Sequence, residues 1–251
     1  TLFGSKISVG PPYYNFILAP FLIPLLFLMA YGPQHKWISS EPKKIFNIIL
    51  FFSILTFITI FFFLRENNLL INLVLLLSIY LIIQTIFNFY ENLKKNKFNF
   101  SRIISHLGFG LLIFFISINH IFSVENNFNV KVGEKKDVKN YIIKFKNLET
   151  LSSSNYKSVV GHFEILNKKN LTKKNLKPEI RLYNQPKTIT YEASIKSDFF
   201  SDTYLTMSNI SDTDIYNIKF QKKPFMNLIW FSVLLISFGG IINFFKRGNK
   251  T

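Results

Sequence analysis

Apolar residues form long blocks separated by short charged stretches at both ends of the chain, and short alternating runs in between. Crossing a bilayer takes about 20 apolar residues. Five blocks approach that length, at residues 16–32, 45–64, 69–90, 103–122 and 225–245. The first carries Pro20 and Pro24, the second and third hold no charged residue, and the fourth contains His106 and His120. From Ser123 to Lys223 the period shortens. Phe128–Val132 alternates and turns at Gly133-Glu134; Tyr141–Phe145 and His162–Leu166 alternate as well. Further β-rich runs occur at Glu179–Tyr183, Thr188–Ile195, Thr203–Met207 and Ile215–Phe220, with Ser, Asn, Asp and Gly between them. About seven short strands predict a small antiparallel sandwich or barrel. The Lys168–Lys177 stretch reads as a solvated hairpin loop. The expected fold is a membrane α-helical bundle of five transmembrane helices with an inserted all-β domain. Residues 1–122 hold four helices, 123–223 the β domain, and 224–251 the last helix and a tail.

Composition narrows the function classes. Hydrophobic residues make up 49% of the 251, which excludes a disordered chain. There is no Cys, so disulfide and thiolate-metal scaffolds are excluded, and the β domain must hold together by core packing alone. The formal net charge of +16 raises the question of nucleic acid. Abundant Lys, Asn, Ile and Phe beside scarce Ala and Arg point instead to AT-rich coding DNA. The position of the charges decides the matter. Lys36, Lys43 and Lys44 oppose one Glu41 after the first block, and Lys94, Lys95, Lys97 and Arg102 oppose one Glu91 after the third. Lys246, Arg247 and Lys250 follow the last, whereas Arg65 and Glu66 cancel between the second and third. The positive-inside rule then places the Lys36 and Lys94 loops and the C-terminus in the cytoplasm, and the N-terminus of this chain and the β domain outside. The β domain's 18 basic and 11 acidic residues do not conflict, because long loops translocate regardless of charge. The partner implied is the lipid bilayer, not nucleic acid. The chain starts at Thr1 without Met or a recognisable signal peptide, which leads us to expect a fragment or a processed product.

A polar group inside a span is costly and therefore a functional candidate. His106 leads. It lies four residues past Arg102, about 6 Å along a helix. Gly110 is one turn later on the same face, with Gly108 close by, and small residues let a helix or a flat cofactor approach. A neutral imidazole there suits axial ligation of heme iron. A hydrogen bond to a neighbouring helix or to an interfacial water explains it equally well. His120 lies fourteen residues further on, about 21 Å along the axis, too far to ligate the same iron. It reads as an interfacial residue, His35 as a headgroup-level anchor, and His162 as a sheet or surface residue. No metal-ligand spacing, phosphate loop, nucleophile elbow or paired-carboxylate pattern is present. Asn72, Gln84 and Asn227 are expected to hydrogen-bond between helices. A second unusual patch, with Lys6, Gly10, Pro11, Pro12, Tyr13 and Asn15, is polar and rigid. It reads as non-helical backbone buried by protein, or as a stiff loop.

These patches occur in an ordered series. Lys6–Asn15 is followed by Pro20, Pro24, Met29, Gly32 and Pro33, then by His106-Leu107-Gly108. Phe122-Ser123, Glu125, Val130 and Gly133 come next, then Pro178, Glu179, Arg181 and Tyr183, then Thr190, Glu192, Ala193 and Ile195. Asp202 and Tyr204, Lys223-Pro224-Phe225, Ile229-Trp230 and Gly239-Gly240 complete it. The series resembles the C-terminal part of the cytochrome c maturation heme lyase subunits of the CcmF/NrfE type. The resemblance implies a multi-pass protein of the bacterial inner membrane with a periplasmic β domain. It implies that His106 is one of two axial ligands of a buried heme b, reduced by quinol. A second heme is the substrate, brought by a chaperone and joined through thioethers to the CxxCH thiols of apocytochrome c, which its own thiol-handling partners prepare. The family's Trp-rich segment, its two periplasmic His and the other heme b ligand have no counterpart here, where the two Trp are Trp37 and Trp230. The resemblance therefore implies a missing N-terminal part of the same protein as partner. Two further functions remain open: a heme-binding transporter or quinol electron-transfer protein without ligation activity, and a structural anchor displaying a β domain.

Overall fold

A computed structural model describes residues 11–32, 51–52, 54–55, 58–59, 69–94, 100–209 and 214–248. Helix α1 runs Pro11–Tyr31, α2 Leu69–Lys94, α3 Phe100–Phe122 and α4 Met226–Gly248. Between α3 and α4 lie ten strands: β1 Val124–Val130, β2 Lys135–Val138, β3 Tyr141–Ser152, β4 Tyr156–Asn167 and β5 Lys173–Leu176, then β6 Glu179–Tyr183, β7 Thr188–Glu192, β8 Ser194–Asp198, β9 Ser201–Asn209 and β10 Tyr216–Pro224. The chain divides into two units, a helical one (Thr1–Ile121 with Leu228–Thr251) and a β one (Phe122–Asn227).

Among the described residues, three helices are long and apolar enough to cross a membrane: Leu69–Tyr90, Phe100–Phe122 and Met226–Phe245. Most of the 45–64 block lies outside the described residues. α1 differs from expectation in two ways. It is already helical at Pro11, so Pro11, Pro12, Tyr13 and Asn15 form its opening turns and not a loop. Proline fits there because its fixed φ suits a first turn whose N–H groups have no intrahelical acceptor. The helix also continues through Pro20 and Pro24. Leu26, Ala30 and Leu81 are buried at its packing against α2, where the Tyr80 ring lies 6.4 Å from that of Phe27 and 5.2 Å from that of Phe52. Hydroxyls in the helices turn back on their own backbone, as Thr85 to Leu81 and Ser117 to Ile113.

The β unit is a sandwich. One sheet has the order β1-β10-β9-β8 and the other β2-β3-β4-β6-β7, with β5 also paired to β4. All neighbours run antiparallel. Alternate residues point inward, as Leu205 and Met207 on β9 and Ile218 and Phe220 on β10, all fully buried. The cross-strand partners Phe145 and Phe163 stack with centroids 4.3 Å apart. Because β1 pairs with β10, the chain enters and leaves the unit on adjacent strands.

Two strand assignments differ from the sequence reading. Lys173–Leu176 is a strand, not a loop: Leu176 is buried in the core while Lys174 reaches Asp198. One apolar anchor suffices for a short edge strand whose Lys173 is exposed and whose Lys174 is held by an ion pair. The Thr188–Ile195 run is split, since β7 belongs to one sheet and β8 to the other. The turn at Gly133 forms as read, with φ at 89°.

Gly161 sits where the two sheets touch. An added Cβ would stand 2.7 Å from both Met207 Sδ and Phe163 Cε2. Overpacking of this kind costs about 1–3 kcal/mol. Gly161→Val is therefore expected to lower the denaturant midpoint of the β unit, read by circular dichroism, and an unchanged midpoint would contradict this packing.

Candidate functional site

His106 occupies the second turn of α3 and is half-buried. Its imidazole is hydrogen-bonded to the backbone of Met29 on α1, the ring N–H donating to the carbonyl. The local sequence explains why that carbonyl is available. α1 ends at Tyr31, so the last carbonyls of the helix lack partners. The residue that would serve Met29, four positions on, is Pro33, which has no N–H. A ring N–H turned to that carbonyl would leave the lone pair of the other nitrogen for a metal. A carbonyl partner of this type is the usual support for a ligating histidine. The donor chemistry thus fits an axial ligand to heme iron. Among the described residues no three His, Asp or Glu side chains cluster.

The glycines beside His106 serve helix contacts. A Cβ at Gly110 would meet Ile82 Cγ1 of α2 at 2.9 Å, and one at Gly108 would meet the Ile236 nitrogen of α4 at 2.9 Å. In this structure the close approach is thus made by helices. The seam between α3 and α4 is built of small residues, Ser101, Ser105 and Gly108 facing Ile236 and Gly239, and Ser101 Oγ donates to the Gly239 carbonyl at 2.7 Å. Gly108 was expected to admit a neighbouring helix; Ser101 and Ser105, four and three residues apart with it in one span, complete the signal.

The remaining positions separate into structural roles. Lys6, Gly10 and His35 lie outside the described residues. His120 is exposed at the last turn of α3. His162 Nε2 lies 2.9 Å from Glu149 Oε2, a strand-to-strand contact on the β unit. Arg181 of β6 bonds Glu179 at 2.8 Å and covers the Tyr156 ring at 4.8 Å. Hydrogen bonds to Glu179 and then Tyr183 push its guanidinium further above an already high value, so it is always charged. Glu192 accepts from Thr190 at 3.0 Å. Tyr204 donates to Asp202 at 3.1 Å; burial raises its phenol, and the Asp202 carboxylate adds to the effect. Gln84 is buried on α2, and Asn227 bonds backbone in the β unit rather than a neighbouring helix. Trp230 is exposed near the start of α4, and Pro224 closes β10.

Residues 121–224 match the family model described as the CcmF C-terminal β-sandwich. The cytochrome c-type biogenesis protein CcmF of Escherichia coli K12 is 24% identical over 96% of this chain and 38% of its own length. NrfE of Haemophilus influenzae is 22% identical over 98% of this chain and 40% of its own length. Across nearly its whole length the chain is similar to members of the CcmF/NrfE family. It spans about two fifths of the length of the curated relatives it matches. A solved structure of a cytochrome c heme lyase CcmF superimposes with a TM-score of 0.71 over 92% of this chain and 40% of that chain, at 15% identity. The fold, a β-sandwich with apolar helices, is therefore CcmF-like, and the chain is that of a membrane protein.

Proposed function

We propose that this chain is the C-terminal part of a cytochrome c heme lyase subunit, and that His106 is one axial ligand of a heme b held among its helices. The observation that carries this is the placement of His106. Its ring is fixed by the Met29 carbonyl between two helices, in a chain whose likeness to CcmF runs across both units. When bound, heme b supplies a redox centre whose potential follows its axial ligands and the dryness of its setting. His106 offers the nitrogen, Met29 holds the ring, and the apolar α1–α3 surroundings keep water away. In this reading the five apolar blocks all span the inner membrane, with the N-terminus of the chain periplasmic and the C-terminus cytoplasmic. The N-terminal part of the same protein supplies the other heme b ligand and the site for the delivered heme. A chaperone brings that heme, quinol supplies electrons, and each apocytochrome thiol S–H adds across a heme vinyl group. The β unit positions these partners. Deleting Asn126–Lys222 while the spans still insert is expected to abolish holocytochrome c, measured by heme staining of membranes. Normal staining would remove the β unit from the reaction.

A further inference from the structure

The β8–β9 hairpin turns at Phe199-Phe200, between the paired residues Asp198 and Ser201. Two-residue hairpin turns are ordinarily built from Gly, Asn or Asp. Here two phenylalanines stand 69% and 61% exposed, edge to face at 4.8 Å. The tip is not loose. The Phe225 N–H donates to the Phe200 carbonyl at 2.6 Å, and Asn227 Nδ2 donates to the Asp198 and Phe199 carbonyls at 3.1 and 3.3 Å. Phe225 itself is held at φ 61°, a left-handed conformation that a bulky residue seldom adopts. The next residue, Met226, begins the apolar stretch that is long enough to span a membrane. The clamp therefore ties the two exposed rings to the very start of a span.

A span begins at the interface between headgroups and acyl chains, the depth at which Trp and Tyr concentrate in membrane proteins and at which interfacial elements bury Phe and Leu. We propose that the Phe199-Phe200 tip is a membrane-docking element, its rings seated in the interface of the leaflet that α4 enters. Water is the wrong solvent for two adjacent exposed rings, and lipid at that depth is the right one. The nearby lysines have other work. Lys222 and Lys223 lie over the Tyr141 and Tyr204 rings, at 5.4 and 5.3 Å, and Lys174 pairs with Asp198. Attraction is thus apolar and does not depend on anionic lipid. The inference rests on α4 crossing the bilayer and is independent of heme chemistry.

The absence of Cys makes the test direct. Phe199→Cys, Phe200→Cys, Ile189→Cys and Leu234→Cys are each labelled with a small fluorophore on the full chain in phosphatidylcholine nanodiscs. Quenching by lipids brominated at shallow or deep acyl positions is compared with quenching by aqueous iodide. The labels at 199 and 200 are expected to be quenched at least twofold more by shallow bromine than the label at 189, an exposed β7 position. Iodide should quench the 189 label more strongly. Labels at 199 and 200 that behave like the one at 189 overturn docking. Labels shielded from both quenchers overturn it in favour of a protein partner. The label at 234, in mid-α4, should respond to deep bromine; if it does not, the span fails and docking with it, whatever the heme content.

Discussion

Replacing His106 with alanine is expected to remove the low-spin heme b spectrum from the full-length protein and to reduce holocytochrome c by at least tenfold. The reason is geometric. The Met29 carbonyl faces one ring nitrogen, and the other is the donor that α3 offers beside α1, since His120 lies at the far end of that helix. Loss of a supporting partner alone typically costs 10–100-fold in metal affinity, and loss of the ligand itself costs more. Two measurements separate a ligand from a packing residue. First, the reduced-minus-oxidised spectrum should lose its bis-histidine bands while the protein still accumulates in the membrane. Second, added imidazole should restore part of the heme signal to His106→Ala, since the truncated side chain leaves room for it. An unchanged bis-histidine spectrum would refute the assignment. Loss of accumulated protein with no change in heme per molecule would do so as well.

The second large effect concerns the Gly239-Gly240 pair, two neighbours that the sequence presents as equals. A Cβ at Gly239 would collide with Ser105 Oγ and lie 2.9 Å from the Ser105 nitrogen and 3.0 Å from the Ser101 carbonyl, whereas one at Gly240 would meet nothing within 4 Å. Backbone atoms cannot give way, so Gly239→Leu must push α4 off α3 and break the Ser101–Gly239 hydrogen bond. Overpacking costs about 1–3 kcal/mol where side chains can adjust; contact with backbone places this variant at or above the top of that range. Gly240→Leu should match the parent. Heating detergent-solubilised protein and following the soluble fraction checks this: the Gly239→Leu midpoint should fall well below that of Gly240→Leu. Equal midpoints would mean that the seam is not the packing surface.

The blocks at 69–90, 103–122 and 225–245 were legible because hydrophobicity over some twenty residues is a local property, and each became a helix near those bounds. The longer alternating runs became strands for the same reason. Lys173–Leu176 was hidden because a four-residue edge strand carries too few apolar residues to show a period, and its pairing with β4 is non-local. The opening turns of α1 were misread because a Pro-Pro pair suits both a stiff loop and a helix start. The break inside Thr188–Ile195 was missed because both halves share one alternating pattern; only the position of β9 decides that Ser194–Asp198 crosses to the other sheet.

His106 stood out in the sequence because few polar side chains occur in apolar spans, and that rarity is visible residue by residue. What holds its ring was not visible. Met29 and Pro33 are remote in the chain, and the acceptor is a backbone carbonyl that every residue possesses. Its availability depends on where α1 ends and which helix lies beside it. The same holds for Gly239 against Gly240, and for Phe199-Phe200, whose exposure is set by a clamp to Phe225 and Asn227. The apolar blocks, the alternating β region and the histidine to test first are all readable from residue order, because burial in lipid or in a sheet selects residue type locally. The tertiary structure alone decided which glycine touches a neighbour, which carbonyl meets His106 and which rings face outward, because each depends on residues brought together only by packing.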